Sequence, residues 1–203
     1  MRKINRLNEE LARWAFEIIF KTNTAWKIAF TNPTAGPWKT IKATSMTTGA
    51  EGEVYRFILE EDRPDIIMYN DELKIIIIFE AKDSLEKLID KEQAKKSAAV
   101  VVKLAHILRS KGSNEFWKGR EKYPVVLGLL WGSTDSPKST TDKKKLYDCY
   151  HNLIKNEELV LSDLIVGVET LYRVDNLSCT PFFVDYSGRT SNLGNAIINS
   201  LKK

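Results

Sequence analysis

The sequence predicts an α/β domain: a mixed central β-sheet flanked by helices on both faces. Three observations carry this. Apolar runs of strand length recur along the chain: EVYRFILE (53–60), DIIMY (65–69), KIIIIFEA (74–81), YPVVLGLLWG (123–132), LIVGVETLYRV (164–174) and TPFFVDYS (180–187). Segments of helical period separate groups of these runs, so the order reads helix, three strands, helix, strand, helix, strands, helix. The chain has 203 residues and is 43 % hydrophobic. That is enough for a sizeable core, and with no internal repeat or clear linker it reads as one domain over 1–203.

Each element has its own signal. Ile4, Leu7, Leu11, Trp14 and Ile18 recur at helical spacing, giving an amphipathic helix over residues 3 to about 20. Residues 22–50 are rich in Thr, Gly, Pro and Asn, with Trp26, Phe30 and Trp38 set among Lys27, Lys39 and Lys42. They read as loops with room for one short strand. The next three apolar runs form a meander. Asp83 and Glu86 have capping-box spacing, so a helix is expected to start immediately after Lys82. It either runs to Lys111, before Gly112, or breaks near Lys95–Ser97. Residues 123–132 are a buried strand, and 133–145 a polar loop that becomes helical by about Asp142. Two more strands and the closing helix NLGNAIINSLKK complete the chain.

Composition narrows the function. Charged residues make up 29 % and no long polar tract occurs, which argues against disorder. No apolar run reaches the roughly 18 residues of a membrane span, so no membrane partner is expected. The N-terminal MRKINRLNEELARWAF mixes both charge signs and lacks the pattern of a secretory signal. Cys149 and Cys179 have neither zinc-site nor disulfide-framework spacing. They read as reduced thiols in a cytoplasmic protein. The net charge is +4, and the basic residues concentrate between Lys91 and Lys122 and again between Lys138 and Lys145. An anionic polymer suits that distribution, as does an ordinary solvated surface.

The strand KIIIIFEAK ends in charges. Side chains alternate faces along a strand, so Glu80 and Lys82 share one face and Ala81 takes the other. In a hairpin with DIIMY, the connecting loop decides where Asp65 falls. A loop centred on Asp71-Glu72 sets Asp65 opposite Ile78, diagonal to Glu80, whereas one centred on Glu72-Leu73 sets it directly opposite Glu80. Either brings the carboxylates within roughly 5 to 8 Å. Two carboxylates so close, flanked by isoleucines, repel and are poorly solvated. A hard cation such as Mg²⁺ offsets both costs and retains waters. Such an ion supplies a nucleophilic water and neutralises charge on a phosphoryl oxygen. Lys82 would orient that water or stabilise the developing charge. The plain alternative is a charged strand end in which Lys82 pairs structurally with Glu80 or Asp65.

Pro64-Asp65, a spacer, then Glu80-Ala81-Lys82 resembles the motif of the PD-(D/E)XK nuclease superfamily. That family's core is a strand meander followed by a helix and a further strand, which fits residues 53 to about 131. The resemblance implies a restriction-endonuclease-like core over about 50–135 and Mg²⁺-dependent hydrolysis of DNA phosphodiesters. It also implies Asp65 and Glu80 as metal ligands, the Ala81 carbonyl as a further ligand, and Lys82 as the catalytic lysine. The family often adds an acid from a preceding helix or strand, for which Glu53, Glu51, Glu17 and Glu10 are candidates. In size and motif position the chain resembles a type II restriction endonuclease. That implies a homodimer cutting double-stranded DNA at a short palindromic site, in the nucleoid of a prokaryotic cell, as part of restriction–modification. The alternatives are a resolvase, repair nickase or restriction cleavage subunit of the same superfamily, and a non-catalytic DNA-binding protein. For DNA contacts, Lys27, Lys39 and Lys42 suit phosphates, Asn23, Asn32 or Lys39 suit base edges, and Met46 suits a wedge between bases. One of Lys91, Gln93 and Lys95 could touch the scissile-strand phosphate, with a solvated helix face as the plain alternative, and the 133–145 loop is either a second contact segment or a solvated loop. The plain alternatives are packing roles for Trp26 and Trp38, turn roles for Asn23 and Asn32 and a loop role for Met46. His106 and His151 have no metal-type partners in sequence and read as structural rather than as ligands of a His-metal nuclease.

Overall fold

The isoleucine run lies in the middle of a six-stranded sheet with both of its faces covered. The computed structural model describes residues 25–31, 64–110, 119–133, 140–155, 159–173, 176–185 and 187–202. Its strands are β1 (Lys27–Thr31), β2 (Ile66–Asn70), β3 (Ile75–Lys82), β4 (Val125–Ser133), β5 (Val160–Arg173) and β6 (Asn176–Asp185). They lie side by side in chain order. β3 pairs parallel with β4, and β4 with β5; the other pairings are antiparallel. Parallel neighbours need crossovers. Helices α1 (Leu85–Leu88) and α2 (Lys91–Ser110) lie between β3 and β4, α3 (Thr140–Ile154) lies between β4 and β5, and α4 (Ser191–Leu201) closes the described chain. The expected mixed sheet with helices on both faces is therefore present.

Burial on both faces explains why β3 shows no polar alternation. Ile76 and Ile78 join Leu88, Ala98, Val101, Leu127 and Tyr150 in one core, under α2 and α3. Ile75, Ile77, Phe79 and Ala81 join Trp26, Val166, Ile197 and Leu201 in the other, under α4. Trp26 is a packing residue: it is 2 % exposed, and its indole N–H donates to Ser200 Oγ at 2.8 Å. Among the described residues no helix is long and apolar enough to cross a membrane.

Two expectations need correction. The helix after Lys82 does not use Asp83 as its cap. Ser84, in extended conformation, holds that position and makes no side-chain cap bond, while Asp83 Oδ2 pairs with Lys87 Nζ at 2.5 Å. Nor does the helical stretch break near Lys95–Ser97. It breaks at Ile89–Asp90, where the Asp90 carboxylate accepts the N–H groups of Glu92 (3.1 Å) and Gln93 (3.0 Å) and starts α2 afresh. The Leu88 carbonyl, released by the break, accepts the Tyr150 hydroxyl at 2.8 Å. The loop-rich segment 22–50 does contain one short strand: β1 pairs with the outer edge of β2. The anticipated helix over 3–20 and strand over 53–60 lie outside the described residues.

Candidate active site

The β2–β3 hairpin decides the site. Its last pair is Asn70↔Ile75 and its first is Ile66↔Phe79, so residues 71–74 form the turn. Asn70 Oδ1 accepts the N–H groups of Glu72 (3.0 Å) and Leu73 (2.9 Å) and shapes that turn. An even turn of this kind is the loop centred on Glu72-Leu73. Extending the register by one residue sets Asp65 directly opposite Glu80.

Asp65 is 5 % exposed. Its N–H donates to the Phe79 carbonyl at 3.0 Å, and its Oδ2 accepts the Ala81 N–H at 2.7 Å. The carboxylate therefore ties the start of β2 to the end of β3. Glu80 Oε1 accepts from Lys82 Nζ at 2.5 Å and from Gln93 Nε2 at 3.0 Å. Lys82 Nζ also donates to the Ala81 carbonyl at 2.8 Å. One ammonium thus bridges Glu80 Oε1 and Ala81 O, so these two oxygens converge on a single positive charge. The Glu80 and Lys82 side chains are 13 % and 16 % exposed, which strengthens the pair relative to one at the open surface. Beneath them lies Tyr150, fully buried. Burial, reinforced by the negative charge of Glu80, pushes its phenol above the ordinary range, so it stays neutral.

The site lies at the carboxyl end of β3, with the carboxyl end of the parallel β4 beside it, since Lys82 pairs with Trp131. Open α/β sheets bind ligands at this edge. β1 also ends here, because Thr31 pairs with Ile66.

The other predicted residues divide. Gln93 turns inward to Glu80 rather than outward to a phosphate. Lys91 and Lys95 are exposed on α2, and Lys95 pairs with Glu92 at 3.2 Å. Lys27 sits at the far end of the hairpin, paired with Tyr69, its Nζ 3.7 Å from Asp71 and 5.8 Å above the Tyr69 ring. At about 3.3 Å per residue, that is roughly 13 Å along the strand from Asp65. Glu53, Glu17, Glu51, Glu10, Asn23, Asn32, Lys39, Lys42, Met46 and Trp38 lie outside the described residues. His151 stacks on Tyr147 with centroids 4.8 Å apart, and its Nδ1 is 3.8 Å from an Asp163 oxygen. One acid escaped sequence reasoning. Glu169, 8 % exposed, pairs with Trp131, which pairs with Lys82, so it shares their face two strands away. Its only signal was the period-two alternation of LIVGVETLYRV.

The donor set of Asp65, Glu80 and the Ala81 carbonyl is all oxygen and suits a hard cation. Among the described residues there is no group of three or more His, Cys, Asp or Glu side chains placed to hold a metal. A metal here would rest on two carboxylates and a carbonyl. Compared with protein-family models, curated proteins and solved structures, the chain matches none.

Proposed function

We propose that the protein is a Mg²⁺-dependent endonuclease that hydrolyses double-stranded DNA at a short specific site, in the manner of a type II restriction enzyme of the PD-(D/E)XK superfamily. The observation that carries this reading is the assembly of Asp65, Glu80 and Lys82 at one end of the β2–β3 hairpin, with Glu80 Oε1 and the Ala81 carbonyl converging on a cation, the Lys82 ammonium. On this reading β2, β3, the helices after Lys82, and β4 are a restriction-endonuclease-like core.

Asp65, Glu80 and the Ala81 carbonyl would hold the ion. When bound, Mg²⁺ supplies charge neutralisation at a phosphoryl oxygen and a water of lowered pKa. Asp65 is anchored through Oδ2 to the Ala81 N–H, which holds its carboxylate without rotamer search. Lys82, on the same face, brings a positive charge to the anionic oxygen that develops as the phosphodiester is attacked. Exposed Lys91, Lys95, Lys96 and Lys103 on α2, with Lys144 and Lys145 on α3, supply basic surface for the DNA backbone. A homodimer on a two-fold symmetric site follows from the restriction reading.

One observation favours a second reading. Each charge at the strand end already has a local partner: Lys82 for Glu80, and the Ala81 N–H for Asp65. A DNA-binding protein without catalysis would use the same groups to brace the sheet. Incubating plasmid with Mg²⁺ and wild-type protein, Asp65→Ala, Glu80→Ala or Lys82→Ala separates the two. Catalysis predicts discrete linear fragments from wild type and a loss of about 100-fold or more in each variant. Salt-dependent DNA binding without cleavage would establish the second reading, and cleavage that survives all three substitutions would move the site elsewhere.

A further inference from the structure

Gln93 has a local job that it does not take. It follows Asp90, the cap of α2, by three residues, where a Gln normally reaches back to the N–H of the cap residue. Among the described residues no such bond is made. The side-chain amide instead crosses to the end of β3, thirteen residues away in sequence, and donates to Glu80 Oε1 at 3.0 Å. Its Nε2 also lies 3.3 Å from Ser97 Oγ, and that hydroxyl donates to the Gln93 carbonyl at 3.0 Å. Because the hydroxyl proton goes to the carbonyl, Ser97 Oγ is an acceptor toward the amide. Both neighbours of Nε2 are acceptors, which settles the orientation of the amide. The framework is rigid: Ser97 is 3 % exposed, and Ala94, Ala98 and Val101 seat this part of α2 in the core.

We infer that Gln93 is the positioning residue of Glu80, holding its carboxylate in place when the Lys82 ammonium gives way to a cation. The inference rests on the metal-dependent reading of the site. Lys82 and Gln93 share Oε1, so a cation taking that oxygen displaces or shifts the lysine while the amide stays in place. A carboxylate that has already lost its rotational freedom binds a metal more tightly, as do metal ligands oriented by outer hydrogen bonds generally.

The test is Mn²⁺ binding to the full-length protein without DNA, by titration calorimetry, beside thermal melts of each variant. Gln93→Leu keeps the bulk and removes the donor. It is expected to weaken Mn²⁺ binding about 10- to 100-fold with an unchanged melting temperature. Ser97→Ala, which frees the amide without removing it, is expected to weaken binding by a smaller factor. Gln93→Leu with wild-type affinity overturns the inference alone, provided that Glu80→Ala abolishes binding. Weaker binding that appears only with a matching fall in melting temperature overturns it in favour of a structural role. Wild-type protein with no Glu80-dependent Mn²⁺ binding overturns the metal reading, and the inference with it.

Discussion

At Asp65 one carboxylate has two separable tasks. Its Oδ2 accepts the Ala81 N–H and so joins β2 to β3, while its charge contributes to the proposed cation site. Asn in this position retains an oxygen acceptor but not the charge. Asp65→Asn is therefore expected to unfold in denaturant at the wild-type midpoint while losing cleavage. Asp65→Ala, which leaves a buried N–H unmet, should lose about 1–3 kcal/mol as well. Asp71, at the other end of the hairpin, is held by Arg120, Tyr123 and Lys27. Arg120 grips it through Nε at 2.6 Å and Nη2 at 2.7 Å and lies 4.2 Å above the Tyr69 ring. The hydrogen bond from Arg120 holds the Asp71 carboxyl below its ordinary value of 3.8, against the opposing effect of partial burial. A depressed carboxylate contributes stability that is present above its unfolded pKa and lost as pH falls through the folded one. Melting temperature should therefore fall below about pH 4, and Asp71→Asn should flatten that acid limb. The Asp71 side chain is 38 % exposed, so salt should shrink the difference.

The hairpin and the helix after it show how elements aim these side chains. The turn at 71–74 sets the register that brings Asp65 to Glu80, and Asn70 shapes it from a fully buried position. Lys74 closes it at φ 52°, a left-handed conformation that the sequence does not advertise with a glycine. β3 is then held laterally by β4. Gly128 pairs with Phe79, and a Cβ there would lie 2.5 Å from the Phe79 ring, which is itself 0 % exposed. Gly128→Ala is expected to cost about 1–3 kcal/mol and to lower cleavage, because the displaced ring adjoins Glu80. Chemical denaturation and initial cleavage rates check the two halves. The break between α1 and α2 was written in Asp90 and Gln93, which have capping spacing just as Asp83 and Glu86 do. Both helix starts form, and Tyr150, sixty-two residues from Leu88, supplies a donor to the carbonyl that the break leaves open.

For the whole molecule, the sheet carries a separate apolar core on each face, and β3 belongs to both. Ile77 and Ile78, adjacent and each at most 1 % exposed, point into opposite cores. Truncating either to Ala should cost about 2–5 kcal/mol. If the shared strand couples the cores, both variants shift one cooperative transition, with tryptophan fluorescence and circular dichroism coincident; separate transitions would show that the faces unfold independently. The α/β class, the strands from 65 onward and the alignment of Glu80 with Lys82 were legible in the sequence, because apolar runs and side-chain alternation are local consequences of backbone geometry. So was the pair of possible registers for Asp65. Which register forms, which residue caps the helix after Lys82, that Gln93 turns to Glu80 and that Glu169 lies on the face of Lys82 were decided only in three dimensions. Those outcomes depend on hydrogen-bond partners and strand neighbours from distant parts of the chain, and no local pattern encodes which partner will be within reach.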